Sequence, residues 1–202
     1  MRESAFRRQR RYSTPMRCIR QDVGGPTRGQ RMSDVVDQAV DTTPLAERLR
    51  DLCRQQRVRI TTAESCTGGG VASAITEVAG SSDYFETGYV TYANVAKSRL
   101  LGVPTEVIDS QGAVSRAVVE AMVVGACRES GADLGVAVSG VAGPGGGSET
   151  KPVGTVWLAW GDIRQQQAEQ WHFSGDRRAV RLQSVQVALQ GLIRWLESPE
   201  KM

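Results

Sequence analysis

The stretch Val58-Arg59-Ile60-Thr61-Thr62-Ala63-Glu64-Ser65-Cys66-Thr67-Gly68-Gly69-Gly70-Val71-Ala72-Ser73-Ala74-Ile75 decides the fold. Residues 58–62 read as a strand, and the small residues from 71 to 78 read as a helix. Three consecutive glycines separate them, so the order is strand, sharp loop, helix. Upstream, Thr42 or Thr43 can cap a helix with Pro44 at its first position, and Leu45, Leu49, Leu52 and Cys53 form one apolar stripe. Downstream, residues 84–92 alternate as a strand and 93–101 form a short helix stopped by Gly102 and Pro104. Ser115 then caps a helix of about fifteen residues that ends at Gly131. Residues 134–138 make a small apolar strand, 153–160 and 167–173 two more, and Gly175-Asp176 opens a long amphipathic helix to 196. Helices flank the apolar strands throughout, which argues an α/β fold, a three-layer α/β/α sandwich in a single domain.

Composition excludes several other classes. A chain of 202 residues, 40% hydrophobic and 23% charged, is long and apolar enough to bury one sizeable core. No apolar run approaches the roughly eighteen residues of a membrane span. Four cysteines without Cys-x-x-Cys spacing and a single histidine give no sensible zinc set. No membrane partner and no metal are therefore expected, and a reducing cytoplasm fits the thiols.

Charge is distributed unevenly. Residues 1–31 hold nine arginines against Glu3 and Asp22, a net of +7, whereas the remainder of the chain carries −4. That segment has no hydrophobic period and reads as a disordered basic arm, followed by a linker over 32–43 and a folded domain over 44–198. A nucleic-acid tether, an organellar transit segment and a translation start at Met32 are the readings open for the arm. Only three of the basic residues are lysines, Lys97, Lys151 and Lys201. In so arginine-rich a chain a lysine is informative, because an amine can be tuned into a base and a guanidinium cannot.

The loop 64–70 is the first candidate site. A strand that turns sharply into a helix exposes side chains and aims free amides outward, as a nucleophile with an oxyanion hole requires. Ser65 is the candidate nucleophile and Cys66 its rival; the competing reading is that Ser65 or Thr67 merely caps the helix. The flanking Glu64 and Cys66 exclude a Gly-x-Ser-x-Gly elbow. A Ser-His-Asp triad would need His172, which lies mid-strand between Trp171 and Phe173 and reads better as structural. A neutral lysine is the remaining base, and Lys97 sits in an otherwise apolar run just past Tyr92, where a plain surface lysine is the alternative. The second candidate is 139–148, with glycine at five of the eight positions from 140 to 147. Its amides can cradle an anion, although it lacks a Walker A ending and also reads as a flexible loop. Lys151 offers a nearby point charge, and Arg177, in the first turn of the last helix, a fork for phosphate or carboxylate.

The blocks Thr62-Ala63-Glu64-Ser65-Cys66-Thr67-Gly68-Gly69, Gly80-Ser81-Ser82, Val90-Thr91-Tyr92-Ala93-Asn94-Val95-Ala96-Lys97, Gly112-Ala113-Val114-Ser115, Ser139-Gly140-Val141-Ala142-Gly143-Pro144-Gly145-Gly146 and Lys151-Pro152-Val153-Gly154-Thr155-Val156 resemble the CinA C-terminal-domain family. They run in order over about residues 44 to 197. That family includes bacterial nicotinamide mononucleotide deamidases, which hydrolyse the nucleotide's carboxamide to the acid and ammonia. The resemblance implies an amidohydrolase of pyridine nucleotide recycling, with Ser65 as nucleophile, Lys97 as its base and Tyr92 beside them. It also implies a mixed sheet, a homodimer, a small-molecule nucleotide substrate and no organic cofactor, with nucleic acid entering only through the basic arm. Amides around Thr67, Gly68 and Gly69 would stabilise the oxyanion. Ser139, the loop glycines Gly140, Gly143, Gly145 and Gly146, and Arg177 would help hold the ribose-phosphate or the carboxamide. The resemblance is to one domain of the longer members, so pyrophosphatase activity of their N-terminal domain is not expected here. A domain that only binds nucleotides, or serves a competence or DNA-damage assembly, is the alternative of another class.

Overall fold

A computed structural model of the protein describes residues 41–198. The expectations for the basic arm at 1–31 and for the linker up to residue 40 lie outside the described residues. The elements are α1 (Thr43–Gln56), β1 (Ile60–Glu64), α2 (Gly70–Thr76), a 3-10 turn (Ser81–Asp83), β2 (Phe85–Val90), α3 (Asn94–Leu101), α4 (Thr105–Gln111), α5 (Arg116–Ser130), β3 (Leu134–Gly140), β4 (Thr155–Gly161), β5 (Gln166–His172) and α6 (Arg177–Glu197). One five-stranded sheet runs in the order β2-β1-β3-β4-β5. β1 is parallel to β2 and β3, while β4 is antiparallel to both of its neighbours, so the sheet is mixed.

Side-chain alternation divides the sheet into two faces. On one, Val136, Val138, Leu158 and Trp160 pack with Leu49 of α1, Ile75 of α2 and Val185 and Leu189 of α6. On the other, alanines form a row: Ala63 lies opposite Ala137, Ala137 opposite Ala159, and Ala159 opposite Ala168. Such a shallow face lets the α5 backbone come close, and Val118, Val119, Met122 and Val123 cover it. Gly125 on the same helix meets the Leu101 carbonyl at the end of α3 so tightly that a Cβ has no room. The α/β/α sandwich follows from these two coverings. Among the described residues no helix is long and apolar enough to cross a membrane.

Some boundaries differ from the expectations. β1 begins two residues later than the sequence suggests, which carries the strand to Glu64 and puts Ser65 directly at its end. α4 was not expected, because Gly102 and Pro104 read as a stop; Pro104 instead serves as the residue before a new two-turn helix. Neither Thr42 nor Ser115 caps its helix through the side chain. Asp41 Oδ1 accepts the Thr43 amide at 2.9 Å, and the Ser115 hydroxyl donates to the Gly112 carbonyl at 2.8 Å.

The chain leaves β1 to form β2 on one side, then crosses to form β3 on the other. The carboxyl ends of β1 and β3 thus flank a reversal of strand order, where open α/β sheets leave a crevice for ligands.

Candidate active site

Ser65 stands at that crevice. Its amide donates to the Val138 carbonyl at 2.9 Å, extending the β1–β3 ladder by one residue. Alternation then sends consecutive side chains to opposite faces. Glu64 points to the α2 side, and Ser65 to the side of Ala63, where α3 brings Lys97.

α3 is built inside out. Lys97 is 1% exposed, whereas Val95 and Leu100 on the same helix are 67% and 42% exposed. Lys97 Nζ lies 3.2 Å from Ser65 Oγ, 2.8 Å from the Thr91 carbonyl and 3.2 Å from the Tyr92 carbonyl. None of these partners is charged, and burial pushes the lysine pKa below its ordinary value. A neutral amine has two N–H bonds and one lone pair. With its two N–H bonds on the carbonyls, such an amine would have its lone pair free for the Ser65 hydroxyl.

Glu64, to which the sequence analysis gave no role, fixes the loop between these groups. Its fully buried carboxylate accepts the amides of Gly69 and Val71 on Oε2, both at 3.0 Å, and of Ala72 on Oε1 at 2.9 Å. The reading in which Ser65 or Thr67 caps α2 is therefore corrected: Glu64 satisfies the amides of the first turn, and Gly69 takes up a left-handed φ of +93° at the cap. An acidic residue just ahead of glycines that open a helix was the available signal. The oxyanion expectation narrows as well, since the Gly68 amide donates to the Ser65 carbonyl, Gly69 to Glu64 and Gly70 to the Thr67 carbonyl. Among the loop amides, those of Cys66 and Thr67 make no backbone hydrogen bond among the described residues.

Tyr92 enters the site through its backbone. Its carbonyl meets Lys97, while its side chain is 57% exposed and its hydroxyl accepts from Arg177 Nη2 at 2.7 Å. Arg177 Nη1 donates to the Gly143 carbonyl at 2.9 Å, so this arginine ties the residues after β2 to the glycine loop after β3. One turn further along α6, Arg181 Nη2 donates to the Thr67 carbonyl at 2.7 Å. Arg177 and Arg181 line a cleft of about 850 Å³ together with Ala142, Gly143, Pro144 and Gly175. Arg181 belongs to none of the sequence motifs; its position four residues after Arg177 was the signal.

The remaining candidates lie elsewhere or serve the framework. Ser139 is 1% exposed and its hydroxyl donates to the Ala113 carbonyl at 2.8 Å, tying β3 to the segment before α5. At Gly140 a Cβ would lie 2.6 Å from Val156 Cγ2, which accounts for glycine by packing. Gly145 and Gly146 sit on the exposed part of the loop. Lys151 Nζ donates to the Gln111 carbonyl at 2.7 Å. His172 ends β5, separated from β1 by β3 and β4, and no triad with Ser65 forms. Cys66 is buried among apolar side chains, and burial pushes its thiol up to about 11, so it is protonated at neutral pH. No cluster of metal-binding side chains occurs among the described residues.

Comparison with known proteins bears on this arrangement. A profile of the CinA C-terminal domain matches residues 42–196. The nicotinamide-nucleotide amidohydrolase PncC of Pseudomonas putida is 60% identical over 152 residues, 75% of this chain and 95% of the relative. The protein of the same name from Escherichia coli K12 is 50% identical over 149 residues, 73% of this chain and 90% of the relative. Among solved structures, the competence/damage inducible protein CihA from Agrobacterium tumefaciens superposes with a TM-score of 0.75 at 43% identity, covering 78% of this chain and 96% of that one.

Proposed function

The chain belongs to the CinA C-terminal domain family, and from that premise we propose that it is an amidohydrolase that converts nicotinamide mononucleotide to the acid and ammonia, with Ser65 and Lys97 as its reacting groups. The substrate rests on the names of the relatives. The chemistry rests on one observation: a buried amine with two carbonyl acceptors and a serine hydroxyl at 3.2 Å.

An amide is a poor electrophile with a poor leaving group, so both ends of the reaction need a proton moved. Neutral Lys97 accepts the Ser65 proton as the oxygen attacks the carboxamide carbon. The negative charge passes to the carboxamide oxygen, for which the Cys66 and Thr67 amides are the candidate donors. The ammonium of Lys97 then protonates the departing nitrogen, ammonia leaves, and an acyl-Ser65 ester remains. Water attacks that ester, giving its proton to Lys97, and the Ser65 oxygen takes the proton back as the acid is released. Lys97 thus ends neutral, and one proton is lost from the acid to solvent.

Two rival readings have less support. Cys66 is held protonated by burial. A domain that only bound nucleotides would have no use for a desolvated amine aimed at a hydroxyl. The decisive assay is ammonia release from nicotinamide mononucleotide, free nicotinamide and NAD in parallel. Release from the mononucleotide is expected, and its absence, with specific nucleotide binding retained, would hand the protein to the binding class.

A further inference from the structure

The Ser65–Lys97 pair is nearly closed to solvent, with Ser65 9% and Lys97 1% exposed, and every hydrogen-bond partner of the amine is uncharged. Glu64, next to Ser65 in the chain, has its oxygens engaged by the amides of Gly69, Val71 and Ala72. Asp176, the acid of the cleft, accepts the Ala179 amide at 2.8 Å. From α6 the loop is met by positive charge: Arg181 donates to the Thr67 carbonyl at 2.7 Å, and both Arg177 and Arg181 oppose the rise of the Cys66 thiol pKa. Two consequences follow for the second half of the reaction. Among the described residues Lys97 is the only titratable side chain hydrogen-bonded to Ser65, so it must deprotonate whatever attacks the acyl-Ser65 ester. The departure of ammonia, run backwards, is itself the attack of an amine on that ester in the place beside Lys97. No free carboxylate is there to hold a cation and the two arginines repel one, so an attacking amine has to arrive uncharged.

We propose that the protein has a second activity at this site, acyl transfer, in which small amines that are uncharged at neutral pH, such as hydroxylamine and hydrazine, intercept acyl-Ser65 in place of water. The proposal rests on the amidohydrolase reading above and states what else its intermediate accepts. With hydroxylamine, the nitrogen lone pair attacks the ester carbon and a C–N bond forms, while neutral Lys97 takes one N–H proton. The C–O bond to Ser65 then breaks, the same proton passes from Lys97 to the Ser65 oxygen, and the hydroxamate leaves. Nothing is oxidised or reduced, and Lys97 ends neutral as it began. Methylamine is protonated at neutral pH: its ammonium has no lone pair to attack with, and it brings a charge that the arginines repel. The closeness of the pair to full burial favours small nucleophiles further, because little room is left beside Lys97.

The experiment incubates the full chain with nicotinamide mononucleotide at neutral pH and increasing hydroxylamine, and measures ammonia, acid and hydroxamate by mass spectrometry. Hydroxamate should appear at the expense of the acid, and the ratio of the two should double with each doubling of hydroxylamine. The methyl ester of the product acid, used as a second substrate, passes through the same acyl-Ser65 and should give the same ratio at each hydroxylamine concentration. Ser65→Ala should form no hydroxamate above the reaction without protein. Methylamine at equal total concentration should give no N-methylamide above that background. Ammonia release with acid as the sole product would overturn the proposal and leave the amidohydrolase reading standing. A ratio that differs between amide and ester would also overturn it, since the amine would then attack the substrate rather than a shared acyl-enzyme. Transfer to methylamine as efficient as to hydroxylamine would overturn the selection for uncharged amines. Absence of ammonia and hydroxamate alike would sink the amidohydrolase reading and this activity with it.

Discussion

Lys97 Nζ and Ser65 Oγ lie 3.2 Å apart although 32 positions separate them in the chain, and the amine is shared with two backbone carbonyls and with no carboxylate. Each of those facts acts in one direction. An acid beside Lys97 would hold the ammonium and make it useless as a base, whereas neutral oxygens and burial favour the free amine. The sheet enforces the pairing: β1 ends at Ser65, and β2 ends just before Thr91 and Tyr92, which start the turn into α3.

Ser65→Ala is expected to abolish ammonia release, with the fold retained by circular dichroism. Cys66→Ala should keep most of the activity and lose about 1 kcal/mol of stability, as is common for trimming a buried side chain. The reverse pattern, with Ser65→Ala active and Cys66→Ala dead, would transfer the nucleophile to the thiol despite its raised pKa.

Tyr92→Phe separates the backbone of this residue from its hydroxyl. The carbonyl that meets Lys97 is untouched and only the bond from Arg177 is lost, so turnover should change by less than about tenfold. Any effect should fall mainly on KM through the freed arginine. A loss as deep as that of Ser65→Ala would show that the phenol itself takes part in proton transfer.

Much of this site was legible in the sequence, and the reason is chemical. A serine in a glycine loop after a strand, and a lysine in an arginine-rich chain, are both recognisable without coordinates. Burial is not: Lys97 lies on a helix whose Val95 and Leu100 face out while Leu101, one turn on, is buried with it, so the apolar residues do not mark its inner face. Glu64 and Arg181 escaped for a related reason. Their partners are backbone groups of the loop between β1 and α2, and such partners leave no trace in side-chain spacing. α4 was missed because glycine and proline end one helix and, here, lead straight into another.

Glu64→Gln tests the loop anchor. The amide keeps the shape but offers one acceptor oxygen where three backbone N–H groups converge, and its own NH₂ faces donors. Leaving buried donors unpaired costs about 1–3 kcal/mol. For a chain of this size that lowers Tm by roughly 2–4 °C for each kcal/mol. kcat should fall as Ser65 loses its fixed position, while the pH at which the rate turns over stays where Lys97 sets it. A stability equal to wild type would show that the carboxylate is not needed to hold α2.

Lys97→Arg and Lys97→Met address the base. Arginine keeps a positive charge but is never neutral at working pH, and methionine keeps an apolar stem without any proton acceptor. Both should lose the 10²–10⁴-fold, or more, that removal of a general base costs, provided circular dichroism shows a folded chain. In the proposed mechanism only the free amine starts the reaction, so log kcat/KM of the wild type should rise with pH at unit slope and level off above a pKa lower than lysine's ordinary value of about 10.4. The shift comes from burial, and its sign also governs stability. Between the lowered folded value and the ordinary unfolded one, the unfolded chain binds the extra proton, so this residue makes folding more favourable as pH rises through that window and opposes it most fully below. Lys97→Met removes the titration, and the difference in Tm between it and the wild type should shrink as pH climbs through the window. A flat rate profile together with a constant Tm difference would mean that Lys97 does not exchange a proton there, and the base would have to be sought in water held at the Thr67 amide.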